Sequence, residues 1–349
     1  FRWIRAIFCE RIGKRTDFCV TGLIGPRYLR EMNGDLPIFK YGDILSRDPS
    51  FLQRLRHTCH HTGFFYLCCP ELAEGPLKLM FDQARKFFAL PATEKNAIHL
   101  SRSRHFRGYS LLDEEKTQGA SDHKETLDLG LECSPSDSDT AYQALQGPNQ
   151  WPSHCHGFRE AIESYITQLC SVGKNIIRSL ALCLGLEENT FARHFTPPHC
   201  MLRLIAYPPV EPDSRIDQGI GDHTDFGCLT ILAQDEVGGL EVQLTDGKWI
   251  KAKPRSGCLV VNLGDMLEVW TAHYFLATPH RVRCPRGSST RYSIPFFFEP
   301  NLDTMVKPLS LDCLPPFERP VSKIPSVGPI LYGEHMLEAF HRSYPGVVL

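Results

Sequence analysis

Apolar residues recur along this chain at two different periods, and the change of period organises it. Leu36-Pro37-Ile38-Phe39 follows the turn Asn33-Gly34-Asp35 and predicts a short strand. Asp48-Pro49-Ser50 carries the signature of a helix start, and Phe51, Leu52, Leu55 and Cys59 give that helix an apolar face until Gly63. Phe64-Phe65-Tyr66-Leu67-Cys68-Cys69 is a continuous apolar run and predicts a buried strand. Helical spacing returns over residues 72–90 through Leu77, Met80, Phe81, Ala84, Phe87 and Phe88, and Pro91 ends it. Residues 100–150 are polar, with turns at Arg107-Gly108-Tyr109 and Gly147-Pro148-Asn149, and show no readable period.

The longest periodic segment is residues 156–184. Phe158, Ile162, Tyr165, Ile166, Leu169, Val172, Ile176, Ile177, Leu180 and Leu184 step by three and four, and Gly185 suits a C-terminal cap. A stripe this long predicts a helix lying along a sheet. From Leu202 the period becomes two. Short β-type runs at 202–207, 226–232, 239–243, 257–263, 279–283 and 290–298 alternate with Gly, Pro and Asp turns, and strands so spaced predict a sandwich or barrel. The expected class is α+β with a mainly β core, a double-stranded β-helix or jelly roll flanked by helices. The expected division is 1–34 as an extension, 35–150 as an N-terminal region, 151–196 as bracing helices, 197–302 as the catalytic core, and 303–349 as a Pro-rich tail ending in a helix near 332–342.

Composition narrows the function classes. The 349 residues are 42% hydrophobic and 22% charged, enough for a sizeable core. Net charge is -2, which gives no electrostatic footprint for nucleic acid or an anionic membrane, and no apolar run approaches the ~18 residues of a spanning helix. A small-molecule substrate is expected, with no nucleic acid, membrane or obligate protein partner. Fourteen cysteines without a CxxC pair suit free thiols in a reducing compartment, so a cytoplasmic location is expected. The chain opens at Phe1, as a fragment or processed form would. Residues 1–34 carry Arg2, Arg5, Arg11, Lys14, Arg15, Arg27 and Arg30; this suits an organelle transit peptide, with a vestigial or artefactual extension preferred.

The chemistry concentrates after residue 200. In a strand, residues two apart project to one face, so His223 and Asp225 present an imidazole and a carboxylate side by side. His280 lies on a later strand, within Thr278-Pro279-His280-Arg281-Val282. Two histidines and one carboxylate form the donor set of non-haem Fe(II) oxygenases, which leaves positions open for oxygen and a co-substrate. A hydrogen-bonded surface pair is the bland alternative for His223 and Asp225. Arg291 and Ser293 share a strand face by the same parity, and a guanidinium beside a hydroxyl suits a carboxylate, as it also suits a structural salt bridge.

These pieces together resemble the isopenicillin N synthase-like branch of the 2-oxoglutarate/Fe(II)-dependent dioxygenases. The matching stretches are His223-Thr224-Asp225, Gly238-Gly239-Leu240-Glu241-Val242, Trp249-Ile250, Val261-Asn262-Leu263-Gly264-Asp265, Thr278-Pro279-His280-Arg281-Val282, and Arg291-Tyr292-Ser293 followed by Phe296-Phe297-Phe298-Glu299-Pro300. Leu202-Arg203-Leu204, Tyr207-Pro208-Pro209, Leu36-Pro37-Ile38, Gly63-Phe64-Phe65 and Arg107-Gly108-Tyr109 extend the likeness to about residues 36–300. The resemblance implies Fe(II) held by His223, Asp225 and His280, with 2-oxoglutarate gripped by Arg291 and Ser293 and touched by the Tyr207 hydroxyl. It implies O2 as second co-substrate, ascorbate as a candidate reductant, and oxidation of a small organic molecule by hydroxylation or desaturation, coupled to decarboxylation of 2-oxoglutarate to succinate. Ile205 stands where many plant members carry Asn, and Asp225 disfavours halogenation.

Parity also nominates substrate-side residues. Arg203 shares a face with Tyr207 and would meet either a substrate carboxylate or an internal acid. Phe297 shares the face of Arg291 and would stack on a substrate or fill the barrel. Phe226 has the opposite parity and reads as structural; Asn262 and Asp265 read as turn and strand support. His57, His60 and His61, the pair His154 and His156, and the run Asp113-Glu114-Glu115 read as solvated faces, and no HExxH, Walker loop, GxGxxG or GxSxG is present. The rival functions are an Fe(II)/O2 oxidase without 2-oxoglutarate, an inactive binding scaffold and a zinc hydrolase, the last leaving Arg291 and Ser293 without a role.

Overall fold

The computed structural model describes residues 35–73, 75–135, 140–311, 314 and 328–344, so residues 1–34 lie outside the described part. The strands are β1 (Ile38–Lys40), β2 (Phe64–Cys68), β3 (Gly108–Ser110), β4 (Lys116–Thr117), β5 (Ala120–Ser121), β6 (Glu125–Gly130), β7 (His199–Tyr207), β8 (Gln218–His223), β9 (Leu229–Gln234), β10 (Leu240–Gln243), β11 (Trp249–Lys251), β12 (Cys258–Leu263), β13 (His280–Arg283), β14 (Arg291–Glu299), β15 (Met305–Val306) and β16 (Ile330–Leu331). An eight-stranded sheet runs β1-β2-β12-β9-β14-β7-β6-β3, and a four-stranded sheet runs β11-β10-β13-β8. This is the jelly-roll core that the period-two pattern predicts, flanked by helices. Strands from the first third of the chain extend both edges of the large sheet.

Alternation along the large sheet divides structure from chemistry. Leu202 and Leu204 of β7, Ile231 and Ala233 of β9, Leu259 and Val261 of β12, and Ile294, Phe296 and Phe298 of β14 are buried in one cluster with the long helix Phe158–Cys183. That helix contributes Ile162, Ile166, Leu169, Ile176, Ile177 and Leu180, all at most 2% exposed. Gly173 lets it approach the sheet, because a Cβ there would lie 2.7 Å from a ring carbon of Phe298. The intervening residues of the same strands turn inward. Ile205, Tyr207, Leu232 and Val260 join Leu240, Val242 and Val282 of the smaller sheet in a second apolar cluster.

Local rules explain the boundaries. The Asp48 carboxylate accepts from the amides of Ser50 (2.9 Å) and Phe51 (3.4 Å), capping the helix Pro49–His61. Gly63 ends it at φ +62°. The segment expected as one helix over 72–90 contains two, Pro70–Ala73 and Pro76–Phe88. The C-terminal helix spans Tyr332–Ser343.

Several expectations need correction. Residues 100–150 carry four strands; β6 pairs with β7 along six positions. Its alternation was hidden because the polar members, Thr126 and Asp128, are as buried as Leu127 and Leu129. β8, Gln-Gly-Ile-Gly-Asp-His, lacks an apolar face because it lines the interior cavity described below. Cys68 and Cys258 are register partners on β2 and β12 and form a disulfide, while nine other described cysteines are free. His60 is 1% exposed, with Nδ1 2.6 Å from the Tyr274 carbonyl, so that helix face is not solvated. Glu115 is likewise buried, unlike its exposed neighbours Asp113 and Glu114. No helix among the described residues is long and apolar enough to cross a membrane.

Leu169 lies near the middle of the long helix and is fully buried in the cluster it shares with the sheet. Leu169→Ala should lower unfolding free energy by about 2–5 kcal/mol, read as a reduced urea midpoint with an unchanged m-value.

Candidate metal centre and co-substrate pocket

Two strand ends and a turn bring the expected donors together. His223 is the last residue of β8, His280 the first of β13, and the two are register partners with ring centroids 4.2 Å apart. Asp225 lies beyond β8 in the turn leading to β9, so the turn rather than strand parity sets it beside His223. One ligand atom from each of the three lies within 4.8 Å of the others, the one such cluster of three or more His, Cys, Asp or Glu among the described residues.

Hydrogen bonds orient each donor. Nδ1 of His223 is 2.8 Å from the Gly221 carbonyl, and Nδ1 of His280 is 3.1 Å from the Thr278 carbonyl. A carbonyl only accepts, so each Nδ1 carries the proton and each Nε2 lone pair faces inward. Both Nε2 atoms approach the same Asp225 oxygen, Oδ1, at 3.8 and 3.6 Å. The other oxygen, Oδ2, accepts from Thr230 Oγ1 (2.5 Å) and Asn262 Nδ2 (2.6 Å). Burial, reinforced by neighbouring His280, pushes the His223 imidazole down to about 4. Burial alone would raise the Asp225 carboxyl, but the two imidazoles and its hydrogen bonds outweigh this and hold it below its usual value. A neutral imidazole and a carboxylate therefore stand ready near neutrality, the forms a metal ion takes.

The turn itself is fixed from behind. The amides of Asp265, Met266 and Gly264 donate to the carbonyls of Asp225 (2.8 Å), Gly227 (3.0 Å) and Cys228 (3.0 Å). A side chain on Gly227 would collide with the Glu299 carboxylate, so glycine is required there. Asn262 is thus more than strand support: it holds the Asp225 carboxylate directly. Asp265 supports the turn through its backbone, and burial pushes its own carboxyl up to about 7.

The second group lies on the large sheet. Arg291 and Tyr207 are register partners, and the Arg291 guanidinium carbon lies 4.7 Å from the Tyr207 ring centroid. Arg291 is fully buried, and its Nη1 donates to Ser293 Oγ (3.0 Å). Its Nε and Nη2 have no hydrogen-bond partner, and no acid pairs with it among the described residues. A buried guanidinium with free donors fits an incoming carboxylate, which tests well against a dicarboxylic co-substrate such as 2-oxoglutarate. Ile205, opposite Ser293, leaves the wall apolar where Asn was the alternative.

Both groups line one cavity of about 370 Å³. Phe297 lines it too, as parity predicts. Arg203 lines it, but acids of the protein hold its guanidinium: Asp128 through Nε (2.6 Å) and Nη2 (2.7 Å), and Glu115 through Nη1 (3.1 Å), with the Tyr344 hydroxyl on Nη2 (2.6 Å). Of the two partners expected for Arg203, the internal acid is the one present. Phe226 departs from its structural reading. The strand ends before it, so parity does not apply, and it stands 37% exposed on the cavity wall beneath Arg342. The sequence reading missed Glu115, Lys124, Glu299 and the C-terminal Phe340 and Tyr344 as cavity residues. Only the sheet pairing of β6 and the return of the final helix bring them there.

A jelly roll with two histidines and a carboxylate at one end and an unpaired buried arginine in the same cavity defines a non-haem iron oxygenase scaffold. Its relatives specify the family. Residues 198–300 match the model of the 2OG-Fe(II) oxygenase superfamily, and residues 36–154 match that of the non-haem dioxygenase in morphine synthesis N-terminal region. A homoarginine-6-hydroxylase of Oryza sativa subsp. japonica is 35% identical over 82% of this chain and 87% of its own. The 2-oxoglutarate-Fe(II) type oxidoreductase hxnY of Emericella nidulans is 34% identical over 87% of this chain and 88% of its own. Among solved structures, a full-length Neurospora crassa protein in complex with alpha-KG and thymine superposes with a TM-score of 0.76 at 26% identity, covering 89% of this chain and 98% of that one. The chain belongs to the 2OG-Fe(II) oxygenase superfamily and uses Fe(II) and 2-oxoglutarate.

His199, opposite Glu299 on β7, is buried on the cavity wall, and burial with nearby Arg107 pushes its imidazole down to about 3. Burial and the adjacent His61 hold His57 near 4. With an unfolded value of about 6.5, the unfolded chain binds more protons between these limits, so this stability is full above about pH 6.5 and lost as pH falls toward 4. Metal-free protein should show a falling urea midpoint over that window, with a shallower slope in His199→Gln.

Proposed function

We propose that this protein hydroxylates a small organic molecule at a mononuclear iron held by His223, Asp225 and His280, in the isopenicillin N synthase-like branch of its superfamily. The observation that carries the reading is the shared cavity: an imidazole and carboxylate donor set at one position, and at another the buried guanidinium of Arg291, whose Nε and Nη2 have no partner. Bound Fe(II) supplies the redox chemistry that couples O2 and 2-oxoglutarate decarboxylation to oxidation of the substrate.

The chain's own residues do the rest. Gly221 and Thr278 carbonyls fix the imidazole tautomers, and Thr230 and Asn262 hold one carboxylate oxygen so that the other faces the ion. Arg291 and Ser293 bind the distal carboxylate of 2-oxoglutarate, with the Tyr207 hydroxyl beside it. The apolar wall of Ile205, Leu232, Leu240 and Val282 excludes water. Phe297 borders the substrate. Relatives named as homoarginine-6-hydroxylases support hydroxylation as the outcome. Nine free cysteines against one disulfide among the described residues favour a cytoplasmic location.

Anaerobic titration with Fe(II) and then 2-oxoglutarate should give a saturable visible charge-transfer band at one iron per chain. Arg291→Ala should weaken 2-oxoglutarate binding about 10–100-fold, from the loss of charge-assisted hydrogen bonds. Asn262→Ala, which removes one of the two hydrogen bonds that hold Asp225 Oδ2, should weaken Fe(II) binding by about 10–100-fold in a metal-competition assay. Turnover undiminished without 2-oxoglutarate would instead indicate an oxidase.

A further inference from the structure

The acids of the cavity wall differ in how their charge is met. Glu115 pairs with Lys124 (3.0 Å) and Arg203 (3.1 Å), and Asp122 pairs with Lys124 (3.2 Å). Asp222 pairs with Arg281 (3.4 Å), and Asp225 faces the two imidazoles. Glu299 also lines the cavity, is 3% exposed, and forms no ion pair among the described residues. Its two hydrogen bonds both fall on Oε2, from the Cys228 amide (2.6 Å) and the Tyr332 hydroxyl (2.8 Å). Oε1 receives neither. The nearest strand neighbour across the sheet, His199, is held neutral by burial and offers no positive charge.

A buried carboxylate without a cation is costly, and burial pushes this one up to about 8. Phe297 lies two residues upstream on the inward face of β14, and Met201 and Phe340 line the same cavity. An aromatic ring and a carboxylate set two residues apart on one face suit a positively charged nitrogen, which gains an ion pair with one and a cation–π contact with the other. The Oε2 bonds fix the carboxylate, and its Oε1, which receives neither of them, lies against the backbone of Gly227.

We propose that Glu299 is the subsite for a positively charged nitrogen of the substrate, an amine or guanidinium, which places the substrate among cationic nitrogen compounds. The subsite rests on the reading of the cavity as an Fe(II)/2-oxoglutarate site. It lies on β14 together with Arg291 but at the opposite end of the strand, so co-substrate and substrate charges of opposite sign are sorted to opposite ends.

The test uses the full chain loaded anaerobically with Fe(II) and 2-oxoglutarate, with calorimetric titration of butylguanidine and butylamine, both cations near neutrality, against butylurea, the uncharged isostere of the first. The cations should bind at least about tenfold more tightly than the neutral compound. Glu299→Gln should remove that preference while the visible 2-oxoglutarate band persists, and Glu299→Asp, which keeps the charge, should retain the order. The subsite is overturned if the neutral compound binds as well as the cations, if the preference survives Glu299→Gln, or if no cation binds while the band is present. Should Glu299→Gln fail to give the band, the wild-type ratio and Glu299→Asp decide. A wild-type protein without the band refutes the metal-site reading itself, and the subsite with it.

Discussion

Charge buried inside a β-sandwich has to be met where it lies, and the interior of this protein is arranged around that constraint. Asp225 divides its two oxygens, one tied to Thr230 and Asn262, the other facing His223 and His280. Arg203 is taken up by Asp128 and Glu115, and Lys124 by Glu115 and Asp122. Against that internally balanced network, the unpaired donors of Arg291 mark a place where the balance is left for a bound molecule to complete. Arg203 and Lys124, two other bases of the cavity wall, are paired by acids, and that contrast gives the unpaired Arg291 its meaning.

The sheet supplies the geometry. Because successive residues alternate faces, β7 and β14 give every second side chain to the helix-packed core and the others to the cavity. Leu202, Leu204, Ile294 and Phe296 can be densely packed without touching the chemistry, while Arg203, Tyr207, Arg291 and Ser293 stand on the other face. Antiparallel pairing then converts sequence separation into proximity: Arg291 meets Tyr207, and His280 meets His223.

The far ends of the chain close this interior. β6, from the N-terminal region, brings Asp128 against Arg203, and Thr126 beside Glu115. The C-terminal helix returns across the cavity and is tied at three points: the Tyr332 hydroxyl to Glu299, His335 Nε2 to the Phe226 carbonyl, and the Tyr344 hydroxyl to Glu115. Two of these ties reach residues beside the turn that carries Asp225. The wall that a substrate meets is therefore assembled from the first, middle and last parts of the described chain.

Short-range rules were sufficient for much of this protein. Period-two alternation disclosed most of the core strands, period 3.6 disclosed the long helix within about two residues of its observed ends, residue type singled out His223, Asp225 and His280, and parity joined Arg291 to Ser293. These features depend on neighbours along one element, which is information a linear sequence holds. The partners of buried polar groups depend on which strands lie side by side. Glu115 read as solvated, Thr126 and Asp128 lay in a polar stretch with no readable period, and Gln218–His223 showed no apolar alternation, because their burial comes from contacts across the fold. The partner of Arg203, the role of Asn262, the exposure of Phe226 and the isolation of Glu299 were decided by tertiary packing alone, since each is set by residues dozens to hundreds of positions away.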